Sequence, residues 1–147
     1  MERISKHNYY LDIAQTVSER STCLRRRFGA IIVKNDSIIS TGYNGAPRGR
    51  QNCTDLYRCV REELKIPRGE RYELCRSVHA EANAIYFCAK HGISTNGTVL
   101  YITLSPCANC ALAIIQAVIK TVYYAEKYRD TTGLKILNTA NIETIQL

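Results

Sequence analysis

Helical and strand-like patterns alternate along the second half of the chain, and this alternation restricts the fold more than any other feature. Helices are predicted at residues 78–90, 107–118 and 134–140, and short apolar strands at residues 98–104, 121–125 and 142–146. Helices that alternate with apolar strands indicate right-handed crossover connections within one sheet. The sequence therefore predicts a sheet covered by helices on both faces, which is a three-layer α/β/α sandwich.

The first half of the chain adds a helix and a hairpin. Residues 5–20 have apolar side chains at spacings of three and four, and Ser5 is a plausible N-cap. Strands predicted at residues 28–34 and 37–43 are separated by the turn formers Asn35 and Asp36. The α/β fold is therefore expected to contain a mixed five-stranded sheet.

Residues 44–77 interrupt this regular pattern. The segment contains three glycines, two prolines and many charges, and it predicts at most one short helix near residues 57–65. A segment this long in a compact domain is usually functional or held in place by other groups. We predict a single domain over residues 1–147, with a cysteine-bearing insertion at about residues 44–77.

The charge is concentrated in one part of the chain. The net charge is +7, and residues 20–76 contain the whole surplus, with 13 basic and 6 acidic side chains. This distribution favours an anionic partner such as a phosphate or a nucleic acid. No apolar stretch approaches the roughly 20 residues of a membrane span, and the N-terminus has no apolar signal region. A cytoplasmic location without membrane attachment is expected.

Seven cysteines without an export signal indicate metal binding or catalysis rather than disulfides. Cys107 and Cys110 begin a predicted helix directly after a strand, so both sulfurs lie on one helical face. The helix dipole at this end favours thiolates. Taken alone, the motif is compatible with a redox pair, half of a structural zinc site or a catalytic metal site.

A second motif favours a catalytic metal. His79 begins another predicted helix, and Glu81 follows two residues later. With the two cysteines, His79 completes three zinc ligands and leaves a fourth position for water, whose pKa zinc lowers towards 7. Glu81 can then carry the proton, a role that a purely structural zinc does not need.

These motifs resemble the zinc deaminase signature H-x-E followed by P-C-x-x-C. Together with Arg20–Cys23, Thr41–Pro47 and the long insertion, they resemble the cytidine and deoxycytidylate deaminase superfamily, and within it the deoxycytidylate (dCMP) deaminases. The resemblance implies a zinc-dependent hydrolase that converts dCMP to dUMP with release of ammonia and so supplies dTMP synthesis. Glu81 is the implied catalytic residue, and His79, Cys107 and Cys110 are the implied zinc ligands.

The resemblance also implies substrate contacts. Asn44 matches a sugar-binding asparagine, although it is also compatible with a left-handed turn residue before Gly45. The backbones of Ala80 and Ser105 match positions that bind the base edge. Three further residues match the positions that bind the 5′-phosphate, namely Arg25, Tyr128 and Arg129.

Some members of the superfamily hold a second, structural zinc, and Cys23 and Cys53 match two of its ligands. No histidine lies between His7 and His79 to complete the set. We therefore expect Cys59 and Cys75 to complete a four-thiolate site. Cys88 lies in an apolar run and is expected in the core.

Regulation and assembly are further implications of the resemblance. The basic loop Arg48-Gly49-Arg50 resembles the region that binds the effectors dCTP and dTTP, with Mg²⁺ accompanying the triphosphate. A homohexamer is expected, and no stable nucleic-acid partner. Seven tyrosines are expected to pack in cores or subunit faces: Tyr9, Tyr10, Tyr72, Tyr86, Tyr101, Tyr123 and Tyr124.

Two other classes of function remain open at this level. One is a different deaminase of the superfamily, acting on tRNA adenosine or on free cytidine or deoxycytidine. The Gly-Tyr-Asn-Gly segment at residues 42–45 and the insertion argue against it. The other is a non-catalytic zinc module that binds nucleic acid through the basic segment, which would have no need of Glu81.

Overall fold

The computed structural model describes residues 1–147. Its helices are α1 (Lys6–Ser18), α2 (Cys53–Leu56), α3 (Val60–Glu63), α4 (Ala80–His91), α5 (Ala108–Gln116) and α6 (Thr132–Thr139). Its strands are β1 (Gly29–Lys34), β2 (Ser37–Tyr43), β3 (Val99–Leu104), β4 (Thr121–Glu126) and β5 (Glu143–Gln146), and a 3₁₀ turn spans Tyr72–Leu74. No helix is both long and apolar enough to span a lipid bilayer.

The five strands form one sheet in the order β2-β1-β3-β4-β5. β1 is antiparallel to both β2 and β3, whereas β4 is parallel to its neighbours β3 and β5. The parallel pairs arise because α5 connects β3 to β4 and α6 connects β4 to β5, and each helix returns the chain to the starting edge. The predicted mixed five-stranded sheet is confirmed.

The N-terminal elements follow their local sequence signals. The Ser5 hydroxyl accepts a hydrogen bond of 3.2 Å from the Asn8 N–H and so caps α1. Asn35 and Asp36 adopt left-handed backbone angles, with φ of 48° and 60°. Two such residues form the tight turn whose twist matches that of the flanking strands, so the predicted hairpin is confirmed.

Helices cover both faces of the sheet. On one face, α1 packs Tyr10 and Ala14 against Ile31 and Tyr101. On the other face, α4, α5 and α6 enclose the larger core, which includes Ile32, Ala84, Leu100, Ile102, Ile114, Val122 and Leu137. The predicted three-layer sandwich is confirmed, and Cys88 is fully buried in this larger core.

The insertion contains the helix that was predicted and a second one that was not. The short helix predicted near residues 57–65 is confirmed as α3. α2 precedes it and was missed, and it ends at Tyr57, which has a left-handed conformation with φ of 52°. The sequence signal for α2 is the capping box of Asn52 and Asp55, in which the Asp55 side chain accepts from the Asn52 N–H at 3.1 Å.

The close packing of α4 on β2 requires a glycine at residue 42. A Cβ atom there would lie 2.2 Å from the Ala80 carbonyl oxygen and 2.5 Å from the Ala84 nitrogen. We expect Gly42→Ala to displace α4 and to lower the free energy of unfolding by about 1–3 kcal/mol. Denaturant unfolding measures the change, with Thr41→Ala on the exposed side of β2 as the control. Equal unfolding midpoints for the two variants would contradict this prediction.

Candidate active site

Three strands bring predicted site residues to one edge of the sheet. β2, β3 and β4 run in the same direction, because β2 and β3 are both antiparallel to β1 and β4 is parallel to β3. Their carboxyl ends therefore lie at the same edge. Asn44 and Ser105 follow β2 and β3 directly, and Tyr128 lies two residues beyond β4.

His79, Cys107 and Cys110 converge at this edge. Their donor atoms lie within 4.8 Å of one another, and no other set of His, Cys, Asp or Glu side chains forms such a group. His79 Nδ1 lies 3.5 Å from Cys107 Sγ and 3.4 Å from Cys110 Sγ. Tetrahedral zinc with ordinary Zn–N and Zn–S bonds would separate these atoms by about 3.5 Å. The donor set therefore fits zinc.

Two helix N-termini hold these ligands in place. His79 is the N-cap of α4 and Cys107 is the N-cap of α5, so Cys110 lies one turn inside the second helix. The segment before His79 is held by two hydrogen bonds between Val78 and Gly45, of 2.7 and 3.2 Å. Backbone N–H groups at a helix start favour negative charge on the sulfurs.

The electrostatics of the group favour a thiolate at Cys107. Hydrogen bonding from the neighbouring Cys110 thiol lowers the pKa of Cys107, and the His79 imidazole adds to the shift, whereas the same hydrogen bond and burial raise the pKa of Cys110. A zinc ion would stabilise both sulfurs as thiolates, because metal binding replaces their protons.

Glu81 lies in the first turn of α4 and is only 8% exposed. Burial raises the pKa of its carboxyl above the ordinary value, and its side chain also interacts with the Cys110 thiol. A carboxyl group with a raised pKa, next to a metal group, can both accept and donate a proton near neutral pH.

His79, Glu81 and Cys107 line a cavity of about 140 Å³. Cys110 is buried behind them and does not line it. Glu81 is the one acidic residue in the wall, which contains five arginines: Arg25, Arg26, Arg61, Arg68 and Arg76. The cavity is therefore suited to an anionic ligand that reaches the metal group.

Asn44 lines the cavity and also holds its wall together. Its Oδ1 accepts from the Phe28 N–H at 2.8 Å, and its Nδ2 donates to the Arg26 carbonyl at 2.9 Å. One amide hydrogen and one oxygen lone pair remain for a ligand. Asn44 does not have a positive φ, so the alternative interpretation as a left-handed turn residue is wrong.

Ala80 and Ser105 also line the cavity, as expected for contacts to a base. The Ser105 N–H donates to the Glu126 carbonyl at 2.9 Å, and the Ser105 hydroxyl accepts from the Tyr128 N–H at 2.7 Å. These bonds leave the Ser105 carbonyl oxygen as an acceptor, and the hydroxyl proton as a donor, for contacts to a base.

The three residues predicted to bind phosphate are not all in one place. Arg25 and Tyr128 line the cavity, and Arg25 Nε lies 3.1 Å from Glu62 Oε1 of the insertion. Arg129 instead lines an adjoining depression, and four residues line both: Arg26, Arg68, Leu104 and Tyr128. The structure therefore does not place Arg129 in the cavity that contains the metal group.

The four remaining site cysteines lie in the same wall. The residues concerned are Cys23, Cys53, Cys59 and Cys75, and no three of them form a group as close as that at His79. The predicted effector loop at residues 48–50 is exposed and does not line the cavity.

Two cavity residues of the insertion were not predicted from the sequence. Tyr72, expected in a core or subunit face, lies edge-on to the His79 ring with 4.9 Å between centroids. Arg61 is buried beside it and lines the same wall. The surplus of basic residues at 20–76 indicated an anion site, but not which arginines form it.

Comparison with known proteins agrees with this arrangement. The profile of the cytidine and deoxycytidylate deaminase zinc-binding region matches residues 4–126. Deoxycytidylate deaminase of Enterobacteria phage T2 is 36% identical over 174 residues, covering 97% of this chain and 92% of that protein. ComE operon protein 2 of Bacillus subtilis (strain 168) is 41% identical over 129 residues, covering 88% of this chain and 64% of that protein.

A solved structure extends the comparison to the whole chain. The crystal structure of dCMP deaminase from the cyanophage S-TIM5, in complex with dCMP and dUMP, superposes with a TM-score of 0.80. The two sequences are 33% identical, and the match covers 100% of both chains. This chain belongs to the cytidine and deoxycytidylate deaminase family.

Proposed function

We propose that this protein catalyses the hydrolytic deamination of dCMP to dUMP, with release of ammonia. The observation that carries the proposal is the arginine-lined cavity in which Glu81 lies beside His79 and Cys107. Relatives named deoxycytidylate deaminase, and a similar structure solved with dCMP and dUMP, support this substrate. The product dUMP would supply dTMP synthesis.

The chemistry of the site follows from its residues. Zinc held by His79, Cys107 and Cys110 would supply the Lewis acid that makes water a nucleophile near neutral pH. Glu81 takes one proton from the attacking water and delivers it to the ring nitrogen N3 of cytosine, while the water oxygen bonds to the ring carbon C4. Glu81 then moves the remaining proton of the water from the new C4 hydroxyl group to the amino group. The C4–N4 bond breaks, and ammonia leaves.

The remaining contacts orient the nucleotide. Asn44 would bind a sugar hydroxyl through its free amide hydrogen, and the carbonyl of Ser105 would accept from the base amino group. The Ala80 backbone would contact the base edge. Arg25 and Tyr128 would bind the 5′-phosphate, and Arg129 would bind it from the adjoining depression.

We further propose a second, structural zinc held by the four thiols of Cys23, Cys53, Cys59 and Cys75. Burial raises the pKa of Cys53, and the other three thiols add to this effect, which supports their proximity. The Arg25 N–H also donates to Cys23 Sγ at 3.4 Å. A closed four-thiolate site would stabilise the insertion beside the active site.

The wider context of the enzyme is also a proposal. We propose one domain over residues 1–147, acting in the cytoplasm, where reducing conditions preserve thiolate ligands. We also propose a homohexamer; the exposed apolar side chains on α4 and α5, including Tyr86 and Leu112, which are 62% and 54% exposed, support association between subunits. We also propose that dCTP and dTTP, with Mg²⁺, bind at the loop of residues 48–50.

An ammonia-release assay with dCMP, deoxycytidine and tRNA tests the proposed reaction. We expect kcat/KM for dCMP to exceed that for deoxycytidine by about 100-fold or more, because only dCMP offers a phosphate to the arginines. No ammonia is expected from tRNA. Equal rates with deoxycytidine, or preference for tRNA, would assign the enzyme to another branch of the family. Salt-sensitive DNA binding without any ammonia release would instead indicate a non-catalytic module.

The same assay tests the proposed regulation. Adding dCTP should change the shape of the dCMP saturation curve, and dTTP should lower the rate at subsaturating dCMP. Saturation curves that neither nucleotide alters would contradict the effector proposal without affecting the proposed reaction.

A further inference from the structure

Arg61, in α3 of the insertion, is a buried arginine without an acidic partner. It is 8% exposed, and no carboxylate lies within 4.0 Å of its guanidinium nitrogens. One terminal nitrogen donates to the Pro67 carbonyl at 3.1 Å, but the buried Nε has no hydrogen-bond partner. Arg58, three residues earlier, is exposed and bonds to both oxygens of the Glu63 carboxylate at 2.7 and 2.8 Å.

An unpaired buried guanidinium is costly. An arginine cannot lose its charge by deprotonation in a protein, and burial of an unpaired charge is strongly unfavourable. An unsatisfied buried N–H adds to this cost. Arg61 therefore lacks the anionic partner that would offset the cost of burying its charge.

The position of Arg61 identifies that partner. The guanidinium carbon lies 4.8 Å from the centroid of the Tyr72 ring, and this ring lies edge-on to the His79 imidazole at 4.9 Å. One aromatic ring thus separates the charge of Arg61 from a metal ligand. The Tyr72 hydroxyl lies 3.0 Å from that of Tyr128, which joins the insertion to the loop after β4.

The other charged groups of the cavity do not serve as this partner. Glu81 is the one acidic lining residue, and the nearby Glu62 is paired with Arg25. A ligand that reaches the metal group with one end and carries an anion at the other can satisfy Arg61. A nucleoside 5′-monophosphate has this form.

We propose that Arg61 also binds the 5′-phosphate of the substrate, so that the insertion contributes, together with Arg25 and Tyr128, to distinguishing nucleotides from nucleosides. This inference rests on the proposed deamination of dCMP. The planar guanidinium suits a phosphate because its N–H groups can donate in parallel to two oxygens. Arg68, which is exposed and lines the same wall, adds positive charge to the cavity.

The kinetic test compares dCMP with deoxycytidine in Arg61→Met and Arg61→Lys. We expect Arg61→Met to lower kcat/KM for dCMP by about 10- to 150-fold, the worth of hydrogen bonds to a charged group. Its residual activity on deoxycytidine should stay within about twofold of wild type, since that substrate has no phosphate. Arg61→Lys keeps the charge but loses the paired donors, so an intermediate loss is expected.

Arg58→Met is the matched control, because it removes an exposed, ion-paired arginine from the same insertion. It should leave the kinetics on both substrates unchanged. Equal losses on dCMP and deoxycytidine in the Arg61 variants, or a loss of zinc, would show a packing role and overturn the proposal. Unchanged kinetics on dCMP would also overturn it.

A binding arm separates this inference from the proposed reaction. Thermal shifts of wild type and Arg61→Lys are measured with dUMP, deoxyuridine and inorganic phosphate. The inference predicts stabilisation of wild type by dUMP that Arg61→Lys weakens, with little effect of deoxyuridine. If wild type does not deaminate dCMP, the proposed function fails, and the dUMP shifts alone decide the role of Arg61. A shift with phosphate that Arg61→Lys does not weaken would assign phosphate binding to other arginines.

Discussion

Replacing Glu81 with glutamine is expected to lower kcat on dCMP by about 10²- to 10⁴-fold while the zinc content stays unchanged. Glutamine keeps the size and shape of the side chain, but its amide replaces one acceptor oxygen with a donor and cannot accept or donate the transferred proton. Because Glu81 is not one of the three converging ligands, the metal group should persist without it.

Steady-state kinetics and metal analysis on the same preparation measure this effect. Glu143→Gln removes an exposed carboxylate of β5, remote from the cavity, and should leave turnover unchanged. Binding of dUMP to Glu81→Gln should survive, since the phosphate contacts remain. Normal turnover by Glu81→Gln would refute the proton-transfer role, and a parallel loss of zinc would make Glu81 part of the metal site.

Removing a ligand should have a comparably large effect. We expect Cys110→Ala to lower turnover by about 10³-fold or more and to remove one zinc per chain, because water activation depends on the bound metal. Cys110 does not line the cavity, so the loss cannot arise from a missing substrate contact. Metal analysis of purified protein, together with the ammonia assay, provides the measurement.

The same measurement counts the metal sites. Wild type should contain two zinc ions per chain, and Cys75→Ala should lose one and unfold at a lower temperature. Cys88→Ala, which changes a buried thiol of the core, should keep both. One zinc per wild-type chain would reject the four-thiolate site and leave the catalytic site unaffected.

The structure explains which parts of the fold could be predicted. Short-range signals sufficed for the turn at Asn35 and Asp36 and for the cap at Ser5, because each acts within a few residues. The insertion was harder to predict. Its helices are four residues long, and their ends depend on single left-handed residues such as Tyr57.

The candidate site also contains residues that could be predicted from the sequence and contacts that could not. His79, Cys107 and Cys110 were recognisable as a candidate metal group, because metal chemistry allows few residue types and the helix starts restrict their spacing. Asn44 was identified as a cavity residue, but its two bonds to the chain of residues 26–28 were not. Arg129 was expected beside Arg25, yet the turn of the chain after β4 directs it to a neighbouring depression.

The sequence by itself therefore indicated the order of the main helices and strands and the candidate metal group with Glu81, because each leaves a periodic or chemically restricted pattern. Only the tertiary structure decided which arginines of the basic segment line the cavity. Arg58 and Arg61 lie three residues apart with the same side chain, and one pairs with Glu63 in solvent while the other is buried beside Tyr72. The packing of the insertion against the sheet edge makes that difference, because burial and partners depend on residues distant in the chain.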